Sequence, residues 1–124
     1  MAASKKILVA DDDADLLGIV EFYLKKQGYD VTTVTDGREA IDEALRGGYG
    51  LLLFDVMMPK VDGYHVAQEL SEKLGPDCPK ILLMTSRDTE KEGRIAAASG
   101  ADGILQKPLK LVELKSRVQQ ALDS

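Results

Sequence analysis

Three aspartates, a threonine and a lysine follow apolar runs of this sequence at the points where those runs end. They are Asp11, Asp12, Asp55, Thr85 and Lys107. Three neighbouring carboxylates repel one another unless a cation binds or a pKa rises. A set of oxygen ligands without His or Cys favours a hard cation, and Mg²⁺ fits best because it combines carboxylates with phosphate oxygens. The hydroxyl and the ammonium also suit phosphate oxygens, so the residues predict a phosphoryl group held beside Mg²⁺.

Asp55 is the candidate for the reacting group. It follows four large apolar residues, 51–54, and the chain is broken upstream by Gly50 and downstream by Pro59 and Gly63. Such a run is typical of a short strand buried on both faces of a parallel sheet, whose carboxyl edge collects ligands. A lone Asp there would be interpreted as a solvated strand end, but four further polar residues share the predicted edge. A carboxylate so placed can accept a phosphoryl group and form an acyl phosphate.

The hydrophobic pattern predicts five strands that alternate with five helices. The strands are expected at residues 5–10, 29–34, 51–55, 80–84 and 103–106. The helices are expected to run from 13 to 28, from 36 to 47, from 63 to 74 and from 88 to 99, with a last helix that carries residues 111–122. Alternation of this kind implies parallel strands joined by right-handed crossovers, with helices on both faces. The second strand alternates polar and β-branched residues, which indicates an exposed edge strand.

Several side chains are assigned by helical spacing. We expect Leu45 to face inward on the second helix, Ile95 on the fourth and Leu111 on the fifth. The fourth helix has the weakest apolar face. Asp13 is interpreted as a helix N-cap and not as a metal ligand. His65 is interpreted as a surface residue, because no second His or Cys supports a transition-metal site.

Composition fits one globular domain over residues 1–124. The net charge of −5, without clustered Lys and Arg, argues against contact between this domain and nucleic acid. The single cysteine, Cys78, excludes an internal disulfide and a cysteine metal site. No apolar run reaches the roughly 20 residues of a membrane helix, and the N-terminus lacks the apolar segment of a signal peptide. We therefore expect a cytoplasmic protein with no membrane contact.

The sequence resembles the receiver domain of two-component response regulators over essentially its whole length. The matching segments are residues 7–13, 53–63, 84–86, and 100–103 with 107–109. Four spaced motifs in this order make the resemblance specific. It implies a flavodoxin-like (βα)5 fold with a five-stranded parallel sheet in the order 2-1-3-4-5.

The resemblance also implies a role for each of the acidic residues. Asp55 would be the phosphoacceptor, and Asp12 and Asp55 would bind Mg²⁺ directly. Asp11 would act largely through water, and the backbone carbonyl of Met57 would supply a further ligand. Mg²⁺ is the only cofactor that the resemblance implies.

The resemblance also implies roles for further residues around the phosphoryl group. Thr85 would bond a phosphoryl oxygen and reorient on activation, while Lys107 would pair with the phosphate. The bond between Lys107 and Pro108 is expected to be cis. Arg87 and Met57 would flank the path of the attacking water. Where the family often has a switching aromatic residue this chain has an isoleucine, at position 104, which cannot repeat a hydroxyl-tipped rotamer change.

The function expected from these residues and the resemblance is a phosphorylation-dependent signalling switch. A histidine kinase or a phosphotransfer protein would donate the phosphoryl group to Asp55. Partner binding would then change through the face made by helix four, strand five and helix five. The domain would catalyse only its own phosphorylation and dephosphorylation. We expect a monomer that meets an unidentified downstream protein, with dimerisation on phosphorylation left open.

Three other functions are compatible with parts of this pattern. A Mg²⁺-dependent phosphatase of the haloacid dehalogenase type also uses a strand-end Asp, but it needs a second Asp two positions on, where Met57 stands. A nucleotide or flavin carrier is disfavoured because the glycines at 47–50 follow a helix and not a strand. A binding module on the same fold that ignores phosphate remains the main alternative, and an Asp55→Asn variant with unchanged partner binding would support it. The sequence does not distinguish a stand-alone receiver from part of a larger regulator.

Overall fold

Strands and helices alternate along the chain as the hydrophobic pattern predicts. The computed structural model describes residues 4–123, apart from the side chain of Thr89, so the first three residues and the last residue of the predicted domain lie outside it. The strands are β1 Lys6–Ala10, β2 Asp30–Val34, β3 Leu51–Asp55, β4 Lys80–Thr85 and β5 Gly103–Gln106. The helices are α1 Ala14–Lys26, α2 Gly37–Arg46, α3 Gly63–Leu74, α4 Thr89–Ala98 and α5 Leu111–Asp123, with a 3-10 turn at Gly75–Asp77.

The five strands form one parallel sheet in the order β2-β1-β3-β4-β5. This is the order implied by the resemblance, and it confirms that β2 lies at an edge. β3 is the central strand, with Phe54 paired to Ala10 of β1 and Asp55 paired to Met84 of β4. Because all strands are parallel, their carboxyl ends share one edge of the sheet.

Two hydrophobic layers cover the sheet. One contains Leu52 and Phe54 of β3 and packs against α2, α3 and α4. The other contains Leu51 and Leu53 and packs against α1 and α5. Successive residues of a strand point to opposite faces, so a strand that is covered on both faces is apolar throughout. This arrangement explains the continuous apolar run that precedes Asp55.

Aspartates cap the N-termini of the first four helices. Asp13, Asp36, Asp62 and Asp88 each accept a hydrogen bond from a backbone N–H in the first turn of α1, α2, α3 and α4, respectively. The interpretation of Asp13 as a cap is therefore confirmed. Asp62 also contacts the ring of His65, which lies exposed at the surface as expected.

The predictions of three inward-facing side chains were wrong. Leu45 is 40% exposed, because the narrow buried stripe of α2 ends at Ala44 and the next residue points away from it. Ile95 is 51% exposed, since α4 turns Ala96 and not Ile95 toward the sheet. Leu111, the first residue of α5, is also exposed. Across residues 4–123, every helix is too short or too polar to cross a bilayer.

Candidate functional site

The ends of the strands bring the predicted residues to one edge of the sheet. The Asp11 N–H donates to the carbonyl oxygen of Val34 at 3.2 Å, which fixes the start of the segment after β1. Asp55 is the last residue of β3, and Thr85 is the last residue of β4. The Lys107 N–H donates to the carbonyl oxygen of Thr85 at 2.7 Å, so the segment after β5 stays beside β4. Sheet topology therefore positions all of these residues.

Three carboxylates form a compact cluster at this edge. One oxygen each from Asp11, Asp12 and Asp55 lies within 4.8 Å of the others. Asp11 and Asp55 are buried, whereas Asp12 is exposed. A set of carboxylate oxygens open to solvent on one side is the kind of ligand set that Mg²⁺ takes, with water completing its coordination. The residues present thus fit the expected metal.

Lys107 places a positive charge between the two buried acids. Its Nζ lies 2.7 Å from Asp11 Oδ2 and 3.4 Å from Asp55 Oδ1. Burial and the neighbouring charge of Asp11 raise the pKa of Asp55 to about 6, although Lys107 and the Met57 N–H partly oppose this rise. Burial alone would lower the pKa of Lys107, but its bonds and charge interactions with the two acids raise it. The ammonium therefore remains charged and holds both carboxylates.

Thr85 is buried at the same edge and offers a hydroxyl. Its Oγ1 accepts a hydrogen bond from the Arg87 N–H at 3.0 Å. Accepting this bond does not use the hydroxyl proton, so Thr85 can still donate. Its neighbour Met84 is the residue of β4 that pairs with Asp55. The hydroxyl is thus positioned by the strand that adjoins the candidate phosphoacceptor.

The loop after β3 packs closely against the backbone of the candidate phosphoacceptor. The Gly63 N–H donates to the carbonyl oxygen of Val56 at 2.8 Å. A Cβ on Gly63 would lie 2.5 Å from the backbone oxygen of Asp55, which is too close for any side chain. Met57 is exposed in this loop. The peptide bond between Lys107 and Pro108 is cis, as the resemblance implies.

One buried acid near the site was not predicted from the sequence. Glu92 of α4 is 5% exposed, and its Oε2 accepts a hydrogen bond from the Tyr64 hydroxyl of α3 at 2.6 Å. The available signal was spacing, because Glu92 precedes Ala96 by four residues and therefore lies on the same helical face. Helical spacing assigned the apolar Ile95 to the inward face of α4, so the burial of Glu92 was not predicted.

Comparison with known proteins places this arrangement in a class. A family model described as the response regulator receiver domain matches residues 7–119. The chain is 36% identical over 121 residues to the alkaline phosphatase synthesis transcriptional regulatory protein PhoP of Bacillus subtilis (strain 168). That match covers 96% of this chain and 49% of PhoP, so the chain spans about half the length of this relative. The chain belongs to the response regulator receiver domain family.

Solved structures agree with this assignment. The chemotaxis response regulator CheY4 of Vibrio cholerae is 29% identical with a TM-score of 0.88, over 98% of this chain and 100% of that one. The response regulator TrrA of Thermotoga maritima, solved with Mg²⁺ and BeF, is 30% identical with a TM-score of 0.84, over 94% and 98% of the chains. The receiver domain of Saccharomyces cerevisiae Ssk1, co-crystallised with the histidine phosphotransfer protein Ypd1, has a TM-score of 0.91 over 99% and 92% of the chains. At 20% identity, it supports the fold alone.

The family consists of signalling regulators, which argues against the phosphatase alternative.

Proposed function

We propose that this chain is a signalling switch in which Asp55 accepts a phosphoryl group in a Mg²⁺-dependent reaction. The observation that carries the proposal is the pairing of one ammonium with two buried carboxylates. Lys107 Nζ lies 2.7 Å from Asp11 and 3.4 Å from Asp55, inside the three-carboxylate cluster. An ion pair that only stabilises the fold needs one acid for its lysine. This site instead brings three carboxylates together, and their negative charge has to be neutralised.

The chemistry is an in-line displacement at phosphorus. A carboxylate oxygen of Asp55 forms a bond to phosphorus as the bond from phosphorus to the donor breaks, and the donor leaves with its electron pair. The Lys107 ammonium interacts with the phosphoryl oxygens as negative charge develops on them. Mg²⁺ held by Asp12, Asp55 and the Met57 carbonyl oxygen, with Asp11 acting largely through water, would supply further positive charge to the same oxygens. Water then attacks the phosphorus atom, the bond between phosphorus and Asp55 breaks, inorganic phosphate leaves, and the Asp55 carboxylate is restored.

The donor we propose is a histidine kinase or a histidine phosphotransfer protein. Membership of the receiver family supports this class of donor. The Ssk1 receiver domain, which shares this fold, was crystallised with a protein of the second kind. The donor would contribute the phosphohistidine, and the receiver would contribute the acceptor and the charge-neutralising groups.

The output we propose is a change in partner binding. The Thr85 hydroxyl would turn to donate to a phosphoryl oxygen, which would move the segment that links β4 to α4. The face made by α4, β5 and α5 would then present a different surface to a downstream protein. The position of Thr85 at the end of β4, with its hydroxyl bonded to the next loop at Arg87, supports this route.

The proposal is tested by intact-protein mass after incubation with acetyl phosphate, with Mg²⁺ or with EDTA. We expect the wild type to gain one phosphoryl group only with Mg²⁺, and we expect no gain in Asp55→Asn. Asp42→Asn, which changes an exposed acid of α2, is the matched control and should behave as the wild type does. No gain in the wild type with several donors would overturn the proposal and favour a binding module that ignores phosphate.

A further inference from the structure

A chain of polar contacts joins α3, α4 and the segment between β4 and α4. The Tyr64 hydroxyl donates to Glu92 Oε2 at 2.6 Å, and Arg87 Nη1 lies 3.5 Å from Glu92 Oε1. Glu92 is 5% exposed, whereas the Arg87 side chain is 63% exposed. A short bond from a phenol to a buried carboxylate is stronger than a long ion pair with an exposed guanidinium. Tyr64 is therefore the main support of Glu92.

The Tyr64 hydroxyl is a permanent donor in this contact. Burial, followed by the hydrogen bond and charge of Glu92, raises the pKa of Tyr64 above its ordinary value. The phenol consequently stays protonated at neutral pH. A buried carboxylate that loses its hydrogen-bond donor is strongly disfavoured, so α4 is held where Glu92 can reach Tyr64.

This contact matters because α4 has little apolar attachment. Among its described side chains, Ala96 is the buried apolar one, and Ile95 is exposed. A methyl group contributes much less burial than a Leu or Ile side chain. Among the described side chains, α4 therefore has fewer buried apolar ones than α1, α2, α3 or α5, so its buried polar contact at Glu92 matters more to its position.

The same chain of contacts reaches the candidate phosphoryl site through Arg87. The Arg87 N–H donates to Thr85 Oγ1 at 3.0 Å, and the Arg87 carbonyl oxygen accepts from Gln106 Nε2 at 3.0 Å. Arg87 thus belongs both to the contacts of Glu92 and to the contacts of the site hydroxyl. A rotation of Thr85 toward Asp55 would break its bond to the Arg87 N–H and release one end of the chain.

We propose that Tyr64, Glu92 and Arg87 form a latch that holds α4 in the arrangement described here, and that loading the phosphoryl site has to open it. The proposal rests on the proposed function, because the site that opposes the latch is the phosphoryl site at Asp55. Two processes that oppose each other are thermodynamically linked. A substitution that weakens the latch raises the population of the open form of α4. The affinity of the site for a phosphoryl-like ligand must then rise by up to the same factor.

The test is Tyr64→Phe, which removes the hydroxyl and keeps the ring. We expect the backbone amides of α4 to exchange with deuterium about tenfold faster in the unloaded variant, the effect of losing one charge-assisted hydrogen bond. We also expect Mg²⁺ with beryllofluoride, the kind of ligand present in the TrrA structure, to bind up to about tenfold more tightly in an NMR titration. Glu92→Gln, which keeps an acceptor but loses the charge, should change both quantities in the same direction.

The fold supplies a matched control. The Tyr49 hydroxyl donates to Glu43 Oε1 at 2.7 Å, and Arg46 Nη1 lies 3.6 Å from Glu43 Oε2. Tyr49→Phe removes the same group from the same kind of Tyr–Glu–Arg chain at α2. We expect it to leave both the exchange of α4 and the affinity for beryllofluoride unchanged.

Each other outcome decides against the latch. Unchanged exchange of α4 in Tyr64→Phe would show that the contact does not hold the helix. Faster exchange with unchanged beryllofluoride affinity would show a purely structural bond, without linkage to the site. A wild type that neither binds beryllofluoride nor gains a phosphoryl group would overturn the proposed function and the linkage with it. This outcome can be told apart from a failure of the latch alone, because hydrogen exchange of α4 is measured on the unloaded protein, without beryllofluoride or acetyl phosphate.

Discussion

Replacing Lys107 with methionine tests whether its ammonium holds the acidic cluster together. Methionine keeps most of the side-chain volume but leaves the buried Asp11 and Asp55 without the positive charge that lies 2.7 Å and 3.4 Å away. Removing one partner of a buried ion pair destabilises proteins by about 3–5 kcal/mol. Because 19% of the Lys107 side chain is exposed and the acids can gain water, we take the lower end, about 3 kcal/mol.

This loss corresponds to a measurable shift in melting temperature. At about 2.1 cal/mol/K of unfolding entropy per residue, 124 residues give a decrease in Tm of about 12 °C for the Lys107→Met variant in EDTA. Mg²⁺ should recover part of this loss, since a divalent cation replaces the missing positive charge among the carboxylates. The rise in Tm on adding Mg²⁺ should therefore be larger in Lys107→Met than in the wild type.

The assay is thermal unfolding followed by circular dichroism, with EDTA and then with Mg²⁺. Lys115→Met, which changes an exposed lysine of α5, is the matched control and should melt with the wild type under both conditions. A Lys107→Met variant that melts with the wild type in EDTA would refute the claim that this ammonium stabilises the cluster. An equal Mg²⁺ response in the two proteins would refute the claim that the lysine and the cation neutralise the same carboxylates.

Three further predictions concern the backbone around the site, its metal, and the pH dependence of the N-cap of α2. Gly63→Ala should lower the free energy of unfolding, measured in urea, by about 1–3 kcal/mol, because its Cβ would lie 2.5 Å from the backbone oxygen of Asp55. Gly93→Ala, which has open space around it in α4, should be neutral or stabilising. Asp12→Asn should shrink the rise in Tm on adding Mg²⁺, and an undiminished rise would place the cation elsewhere. A backbone N–H of α2 and a nearby lysine hold the pKa of Asp36 below its ordinary value. The wild type should therefore be more stable than Asp36→Asn at pH 7, with the difference shrinking as the pH falls below the ordinary carboxyl pKa of 3.8, and a constant difference in urea unfolding would contradict this.

Local sequence patterns predicted most of the strands, helices and caps that position the site. The continuous apolar run of β3 indicated a strand covered on both faces, and the packing of Leu52 and Leu53 into opposite layers confirms it. Asp13 was identified as an N-cap because capping depends on only a few neighbouring residues. The strand order came from the resemblance, since short-range periodicity carries no information about which strands are neighbours.

Contacts between residues distant in sequence were the part that periodicity could not supply. Glu92 lies on the buried face of α4 because Tyr64, 28 positions earlier, provides its hydrogen bond. The sequence alone does not reveal that partner, so the apolar Ile95 was assigned to that face. The bond between Lys107 and Asp11 spans 96 positions and likewise follows from the sheet order. Residue types thus predicted which side chains gather at this edge of the sheet, while the three-dimensional fold determined which atoms meet.

The most direct test of the central claim is to locate the phosphoryl group after incubation with Mg²⁺ and acetyl phosphate. Borohydride reduces an aspartyl phosphate to homoserine, and trypsin then separates the candidate acids. The peptide of residues 47–60 contains Asp55 as its single acidic residue, whereas Asp11 and Asp12 fall in the peptide of residues 7–25. We predict homoserine at position 55 by tandem mass spectrometry. Homoserine at position 11 or 12, or none in either peptide, would contradict the assignment of Asp55 as the phosphoacceptor.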